Sequence, residues 1–214
     1  MRLLALDTAT SAITVAAHDG TTVLAARSVE DARHHTEHLA PTIEAVLGDA
    51  GWSPRALSDI VVGTGPGPFT GLRVGIVTAL TLAHATGARV HGVCSLDALA
   101  RAAREAHPQE TEVLVATDAR RREVYWARYR DGVRIDGPGV EKPNDVEIGS
   151  ATVIAGSASH VDLFDVAVEP VESPSPLGLV RPIASKILAG EAPEPLVPLY
   201  LRRPDAVEQA VRAR

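Results

Sequence analysis

The sequence predicts an α/β protein built from two related lobes, the second smaller than the first. Segments with strand character alternate with segments of helical periodicity. The order strand, Asp-containing turn, strand, Asp-Gly turn and strand occurs near the N-terminus and again after residue 110. The first half carries three helical segments and the second half one long helical segment. We therefore expect a first lobe over residues 1–106 and a second lobe over 107–214 that ends in an extended tail.

The first lobe is expected to contain five strands and three helices. Asp19-Gly20 is a hairpin turn between two strands, because Asp-Gly readily adopts the backbone angles of a tight two-residue turn. Thr70 and Ser95 are N-cap candidates for the second and third helices, and Gly87 suits the left-handed position that ends the second. The strands are expected over 2–7, 13–18, 22–28, 60–62 and 89–93, and the helices over 36–50, 70–86 and 95–106.

The second lobe is expected to begin after the helix breaker His107-Pro108-Gln109. Asp131-Gly132 is its hairpin turn, in the place that Asp19-Gly20 holds in the first lobe. Residues 137–147 have loop composition, and the Pro-rich tail 195–206 is expected to run extended over the surface. The other expected elements are strands over 112–117, 123–130, 133–135 and 152–155, a short element over 161–166 and a helix over 176–188.

The composition indicates a protein interior made mainly of aliphatic side chains in a reducing compartment. Hydrophobic residues make up 45% of the chain but aromatic residues only 3%, so Val, Leu, Ile and Ala must form the core. The single cysteine, Cys94, excludes an intramolecular disulfide and is best interpreted as a small core residue. A net charge of −6 disfavours a stand-alone nucleic-acid binder. No signal peptide or membrane span is indicated, so we expect a cytoplasmic protein.

The helix expected over 70–86 is the most unusual element of the sequence. It is apolar nearly all round, and Arg73 is its only formal charge. Gly and Ala recur every four residues along one face, so another backbone can approach closely there. This stripe of small residues has two interpretations: it packs on the protein's own sheet, or it also meets a second subunit.

We expect association with a partner through the helices over 36–50 and 70–86, because a helix that is apolar on every side needs more cover than its own sheet provides. The expected contact residues are Leu39, Ile43, Gly71, Leu72, Gly75, Ile76, Ala79 and Ala83.

The duplicated unit resembles the layout of the actin, sugar-kinase and heat-shock-chaperone ATPase (ASKHA) fold, in which nucleotide lies between two lobes. Asp7 and Asp118 hold the places where that fold puts acidic residues near the phosphates. The phosphate turns of that fold use Gly, whereas Thr8 and Thr10 follow Asp7, and three Arg residues lie just beyond Asp118. We therefore expect a degenerate nucleotide site and no bound cofactor. A small ATP-dependent kinase or ATPase is the alternative interpretation.

One segment identifies a more specific family. Residues 65–75, GPGPFTGLRVG, closely resemble the GPGSFTGLRIG signature of the bacterial TsaB (YeaZ) proteins, with Pro68 in place of the usual Ser. The resemblance covers residues 1 to about 130 and includes the tail over 198–205, whereas residues 136–195 carry little of it.

The resemblance implies a non-catalytic, degenerate relative of TsaD that dimerises with TsaD. Together with TsaD and the ATPase TsaE, such a subunit supports transfer of threonylcarbamoyl to the adenosine beside the anticodon of tRNA. By this resemblance the chain has no catalytic residue, meets tRNA only through the complex, and forms a homodimer or a heterodimer through the same apolar helices.

Two further groups of residues were considered as sites. His34 and His38 are one helical turn apart, a spacing that can hold a metal, but no third ligand is identifiable, so we expect no metal there. A glycoprotease-like metallohydrolase would need such a site and is a second alternative function. The run Arg120-Arg121-Arg122 suits contact with RNA phosphate or with acidic residues of a partner, or is a solvated turn.

Overall fold

The computed structural model describes residues 1–30, 35–156, 164, 167–169, 171 and 173–202. In the first half the elements are β1 (Leu3–Asp7), β2 (Ala12–His18), β3 (Val23–Glu30), α1 (His35–Asp49), a 3-10 turn (Pro54–Ala56), β4 (Asp59–Gly63), α2 (Phe69–Thr86), β5 (Arg89–Val93) and α3 (Ser95–Ala106). In the second half they are β6 (Glu112–Asp118), β7 (Val124–Arg130), β8 (Val133–Glu141), a 3-10 turn (Pro143–Asp145), β9 (Val153–Gly156), β10 (Ala167–Glu169) and α4 (Pro176–Leu188).

The two sheets of the protein repeat one topology. The first sheet has the order β3-β2-β1-β4-β5, and the second has the corresponding order β8-β7-β6-β9-β10. In each sheet the first three strands of the unit pair antiparallel, and the next two are added in parallel. The internal duplication predicted from the sequence is therefore confirmed.

The helices do not cover the two sheets in chain order. Helices α1 and α2 cover one face of the first sheet, burying Leu39 and Leu72 in its core. Helix α4 covers the opposite face of that sheet and places Leu179 in one cluster with Leu3. Helix α3 packs Leu99 into the core of the second sheet. Helix α4 follows the expected boundary after residue 106 but covers the first sheet, and α3 precedes that boundary but packs on the second sheet. The packed units therefore do not coincide with the two expected lobes.

The expected helix over 176–188 is confirmed at both ends. The loop expected over 137–147 is wrong for 137–141, which belong to a strand, whereas 142–147 contain only a 3-10 turn and loop residues. Strand β8 continues to Glu141, which pairs with Val124 of β7. Position 139 lies inside this strand and requires glycine, because a Cβ there would be 2.7 Å from the indole nitrogen of Trp126. The Gly-rich composition that predicted a loop therefore reflects close packing against a tryptophan.

Helix α2 begins one residue earlier than expected and ends as expected. Its N-cap residue is Pro68, with no side-chain hydrogen bond, and Thr70 lies within the first turn, so the expected Thr70 cap is wrong. Gly87 has φ of 79° and ends the helix in the left-handed conformation, which confirms its expected role.

None of the helices in the described ranges has the length and hydropathy of a bilayer-spanning segment. The short element expected over 161–166 lies outside the described residues except for Phe164, which is buried against the second sheet.

Candidate functional site

Asp7 and Asp118 occupy equivalent places, each at the C-terminal end of the first strand of its unit. Their surroundings differ completely. Asp7 has an exposed fraction of 0%, whereas Asp118 is exposed. The two carboxylates therefore do not form a matched pair facing one open cleft.

Asp7 is held inside the first lobe by Ser95, the first residue of α3. Ser95 Oγ donates a hydrogen bond of 2.5 Å to Asp7 Oδ2, and the backbone N–H of Ala9 donates one of 2.9 Å to Oδ1. A Cβ at Gly63 would lie 1.7 Å from Asp7 Oδ2, so β4 can pass the carboxylate only because this residue is Gly. Both carboxylate oxygens are thus engaged by the protein itself.

The loop between β4 and α2, residues 64–68, fills the space between Asp7 and the second lobe. Ser95 N–H donates to the carbonyl of Gly65 at 2.8 Å. Gly67 lies directly on the turn after Asp7, since a Cβ there would be 2.2 Å from the carbonyl oxygen of Ala9. From the second lobe, Tyr125 Oη donates to the carbonyl of Gly67 at 3.5 Å. The loop therefore contacts both the turn after Asp7 and a tyrosine of the second lobe.

The threonines expected near a nucleotide are also used within the protein. Thr8 Oγ1 donates a buried hydrogen bond of 2.7 Å to the carbonyl of Gly71. A Cβ at Gly75 would lie 2.3 Å from the same hydroxyl oxygen. Thr10 is half-buried, and its hydroxyl donates to the carbonyl of Ala12 at 3.4 Å. The Thr8 contacts fix the N-terminal part of α2 against the turn that follows β1.

Asp118 begins a turn of unusual backbone conformation between β6 and β7. Its Oδ1 accepts a hydrogen bond of 2.5 Å from the N–H of Arg120. Arg120, Arg121 and Arg122 have φ of 61°, 54° and 61°, so three successive residues with large side chains are left-handed. L-residues other than Gly rarely adopt this conformation. Arginine side chains therefore project from the turn where a phosphate-binding turn would present backbone N–H groups.

The residues expected at the partner interface lie inside the folded chain. The small-residue stripe of α2 packs on the turn after β1, so it faces the protein's own sheet. All eight expected contact residues are buried within the single chain: Leu39, Ile43, Gly71, Leu72, Gly75, Ile76, Ala79 and Ala83.

The opposite side of α2 is exposed. Val77 and Leu80 on that side expose 58% and 47% of their surface. Exposed large apolar side chains on a helix are a common feature of protein interfaces. Because this helix is apolar nearly all round, its sequence does not indicate which of its apolar residues are exposed.

The structure describes Cys94 and one residue of the His34–His38 pair. Cys94 is buried among the residues of the second sheet's core, as expected, and burial raises the pKa of its thiol to about 11. His38 is half-buried on α1, whereas His34 lies outside the described residues. Within the described ranges, no cluster of three or more His, Cys, Asp or Glu side chains could hold a metal ion.

Sequence reasoning missed two residues that complete this arrangement, Ser95 and Tyr125. Ser95 was expected to cap α3, but its hydroxyl reaches a carboxylate 88 positions away in the chain. Tyr125 lies in the strand expected over 123–130, and its sequence neighbours give no sign of its contact with Gly67. No local pattern could have found either contact, because each joins residues that are far apart in the sequence.

Comparisons with known proteins place this fold and site in a family. The family model of TsaD, tRNA N6-adenosine threonylcarbamoyltransferase, matches residues 26–150, more than half of the chain. The structure of YeaZ from Pseudomonas aeruginosa matches with a TM-score of 0.78 and 32% identity over 94% of this chain and 99% of that one. The chain belongs to the TsaB (YeaZ) family.

Other relatives agree with this family. A Mycobacterium leprae protein of uncharacterised function is 50% identical over 95% of this chain and 55% of its own length. The Escherichia coli tRNA threonylcarbamoyladenosine biosynthesis protein TsaB is 40% identical over 61% of this chain and 55% of its own length. The chain thus spans just over half the length of these two relatives.

The fold class expected from the sequence is also confirmed. An activator of 2-hydroxyisocaproyl-CoA dehydratase from Clostridium difficile matches with a TM-score of 0.54 over 89% of this chain, at 10% identity. Together with YeaZ and the repeated sheets, this likeness shows an ASKHA-like fold.

Proposed function

We propose that this chain is the non-catalytic partner of TsaD in threonylcarbamoyl transfer to tRNA. In this proposal the chain forms a heterodimer with TsaD, and the heterodimer works with TsaE to modify the adenosine beside the anticodon, in the cytoplasm. The observation that carries the proposal is the closed site at Asp7, in a chain of the TsaB family.

The non-catalytic role is supported by the contacts that the potential phosphate-binding groups already make. Ser95 and the N–H of Ala9 occupy the Asp7 carboxylate, and Gly67 packs on the following turn. A nucleotide phosphate with its metal would have to displace the loop that Tyr125 contacts from the second lobe. We therefore expect neither tight ATP binding nor useful ATP hydrolysis by the isolated chain. Low-micromolar ATP binding in a calorimetric titration would instead support the kinase or ATPase alternative.

The partnership with TsaD is supported by the position of the exposed apolar surface. The TsaD family model matches residues 26–150, and this range includes α1 and α2 in full. TsaD is therefore expected to present related helices, and related subunits commonly pair through equivalent surfaces. Val77 and Leu80 lie on the side of α2 that the chain leaves open. We assign them to the TsaD contact in place of the buried stripe.

Leu80→Glu tests this contact. Burying an unpaired carboxylate in an apolar interface is strongly unfavourable. Truncating a hot-spot residue of an interface costs about 2 kcal/mol or more, roughly thirtyfold in affinity. We expect the variant to lose TsaD in size-exclusion chromatography with light-scattering detection. The same measurement without TsaD reports whether the chain forms a homodimer through this surface.

Leu24→Glu is the matched control. Leu24 lies on the edge strand β3 and exposes 45% of its surface, close to the 47% of Leu80. The control should fold and bind TsaD like the unchanged chain. Equal binding of TsaD by the Leu80→Glu and Leu24→Glu variants, whether strong or weak, would contradict the assigned contact.

A further inference from the structure

A band of arginine and aromatic side chains runs across the junction of the two lobes. At the start of α2, the Arg73 guanidinium carbon lies 3.7 Å from the ring centroid of Phe69. The ring of Tyr200, in the tail, lies 4.9 Å from that of Phe69, and its hydroxyl accepts a hydrogen bond of 3.4 Å from Arg73 Nε. This first part of the band therefore alternates a cation with two aromatic rings.

The tail carries the band from the first lobe to the second. The N–H of Leu199 donates to the carbonyl of Thr64 at 2.9 Å, which fixes the tail to the loop before α2. Arg202 then forms an ion pair with Glu123, the residue that follows Arg122. We call Phe69, Arg73, Tyr200, Arg202 and residues 120–122 the arginine band.

The turn at the end of the arginine band carries exposed arginines. Most of the other arginines in the described ranges have carboxylate partners, for example Arg128, which lies near Glu112 and Asp136. Arg120 and Arg122 are exposed, and no carboxylate within the described part of the chain pairs with either guanidinium. Arg120 and Arg122 together form a local positive site on a protein of net charge −6.

The left-handed backbone of this turn is unfavourable for arginine. All three arginines are left-handed and exposed, so the unfavourable conformation is not offset by burial of their side chains. Strained positions of this kind cluster at ligand-binding sites. Successive left-handed residues point their side chains in different directions, which suits several anionic groups spaced along a chain better than one compact anion.

We propose that the arginine band binds RNA directly, along the phosphates of the single-stranded anticodon loop of tRNA. Guanidinium groups bind phosphate oxygens in pairs, and single-stranded RNA is recognised by unstacked bases lying on aromatic rings. Tyr200, with 41% of its surface exposed, provides such a ring between the cations. An acidic protein segment would match the charges but would gain nothing from the aromatic rings. The inference rests on the proposed function for its choice of RNA.

Arg120→Asn with Arg122→Asn tests the proposal, because Asn removes the charge yet tolerates the left-handed backbone. The assay measures the anisotropy of a fluorescent anticodon stem-loop RNA against the full-length chain over a range of salt concentrations. Each lost phosphate contact in single-stranded RNA lowers the slope of log affinity against log salt by about 0.7. We expect weaker binding and a slope smaller by about 1.4 in total. Arg55→Asn, on an exposed 3-10 turn outside the band, is the control and should lose neither.

Tyr200→Leu separates stacking from charge. Loss of one stacked base should weaken RNA binding roughly fivefold or more while leaving the salt slope unchanged. Unchanged RNA affinity and slope in the double arginine variant would overturn the proposal, as would the absence of salt-dependent RNA binding by the unchanged chain. Unchanged RNA binding with weakened TsaD binding would show that the band takes acidic protein residues instead. Leu80→Glu should leave RNA binding intact, so failure of the TsaD contact is distinguishable from failure of this inference.

Discussion

Replacing Gly75 with Ala should destabilise the isolated chain, because the small-residue stripe of α2 faces its own sheet. The added Cβ would lie 2.3 Å from Thr8 Oγ1, whereas real Cβ atoms essentially never approach another atom within 3.0 Å. Thr8 cannot simply rotate away, since its hydroxyl donates a buried hydrogen bond of 2.7 Å to the Gly71 carbonyl. The helix and the turn after β1 must therefore move apart.

The size of the effect follows from two opposing contributions. Overpacking a tight contact costs about 1–3 kcal/mol, and Ala gains up to about 1 kcal/mol over Gly inside a helix. We expect a net loss of about 1–2 kcal/mol in the free energy of unfolding. For a chain of this length that lowers the Tm by roughly 2–8 °C, which differential scanning calorimetry resolves.

Gly48→Ala is the control for this measurement. Gly48 lies in α1, and a Cβ there would meet nothing within 4 Å, so the same substitution should leave stability unchanged or raise it slightly. Adding Thr8→Ala to Gly75→Ala should recover part of the loss, because substitutions of residues in contact have non-additive effects on stability. If Gly75→Ala matched Gly48→Ala in stability but lost TsaD, the stripe would face the partner and our reasoning would be wrong.

Three further predictions concern buried polar groups. Ser95→Ala should lower the free energy of unfolding by about 1–3 kcal/mol in urea titrations, because it leaves the buried carboxylate of Asp7 short of a donor; an unchanged midpoint would refute this. The Cys94 thiol, with its pKa raised to about 11 by burial, should react with a disulfide reagent at pH 8 only after unfolding, and prompt reaction of the native chain would contradict it. Ser150 donates a hydrogen bond that holds the pKa of Glu112 below its ordinary value. Ser150→Ala should therefore lower the free energy of unfolding at neutral pH, and this loss should disappear as the pH falls below about 4 and Glu112 becomes protonated. A loss of stability that persisted in acid would refute this dependence on the Glu112 charge.

Local patterns predicted the elements and the duplication well, because each repeat carries its own turn signal. Asp19-Gly20 and Asp131-Gly132 mark equivalent hairpins, and the two sheets have equivalent strand orders. The clearest failure is β8, where the glycine content of the sequence predicts a loop. Glycine is needed at position 139 of this strand because a tryptophan packs against it. Local composition cannot reveal such a tertiary contact.

The candidate site was only partly predictable. The sequence identified Asp7 as a special position and the turns beyond it as unsuited to phosphate, but it could not show that Ser95 and Gly63 surround the carboxylate. Periodicity also revealed the stripe containing Gly75 without revealing which way it faces. A helix that is apolar on every side gives no amphipathic signal, so Val77 and Leu80 became visible as the open surface only in three dimensions.

Reconstitution of the tRNA modification tests the central claim most directly. TsaD and TsaE are incubated with a threonylcarbamoyl donor and unmodified tRNA, with or without this chain, and threonylcarbamoyladenosine is measured by mass spectrometry of the nucleosides. We expect product only when the chain is present, equal product with the Asp118→Asn variant, and little product with Leu80→Glu. Product formed without the chain, or abolished by Asp118→Asn while the complex with TsaD still forms, would contradict a non-catalytic partner that acts through α2.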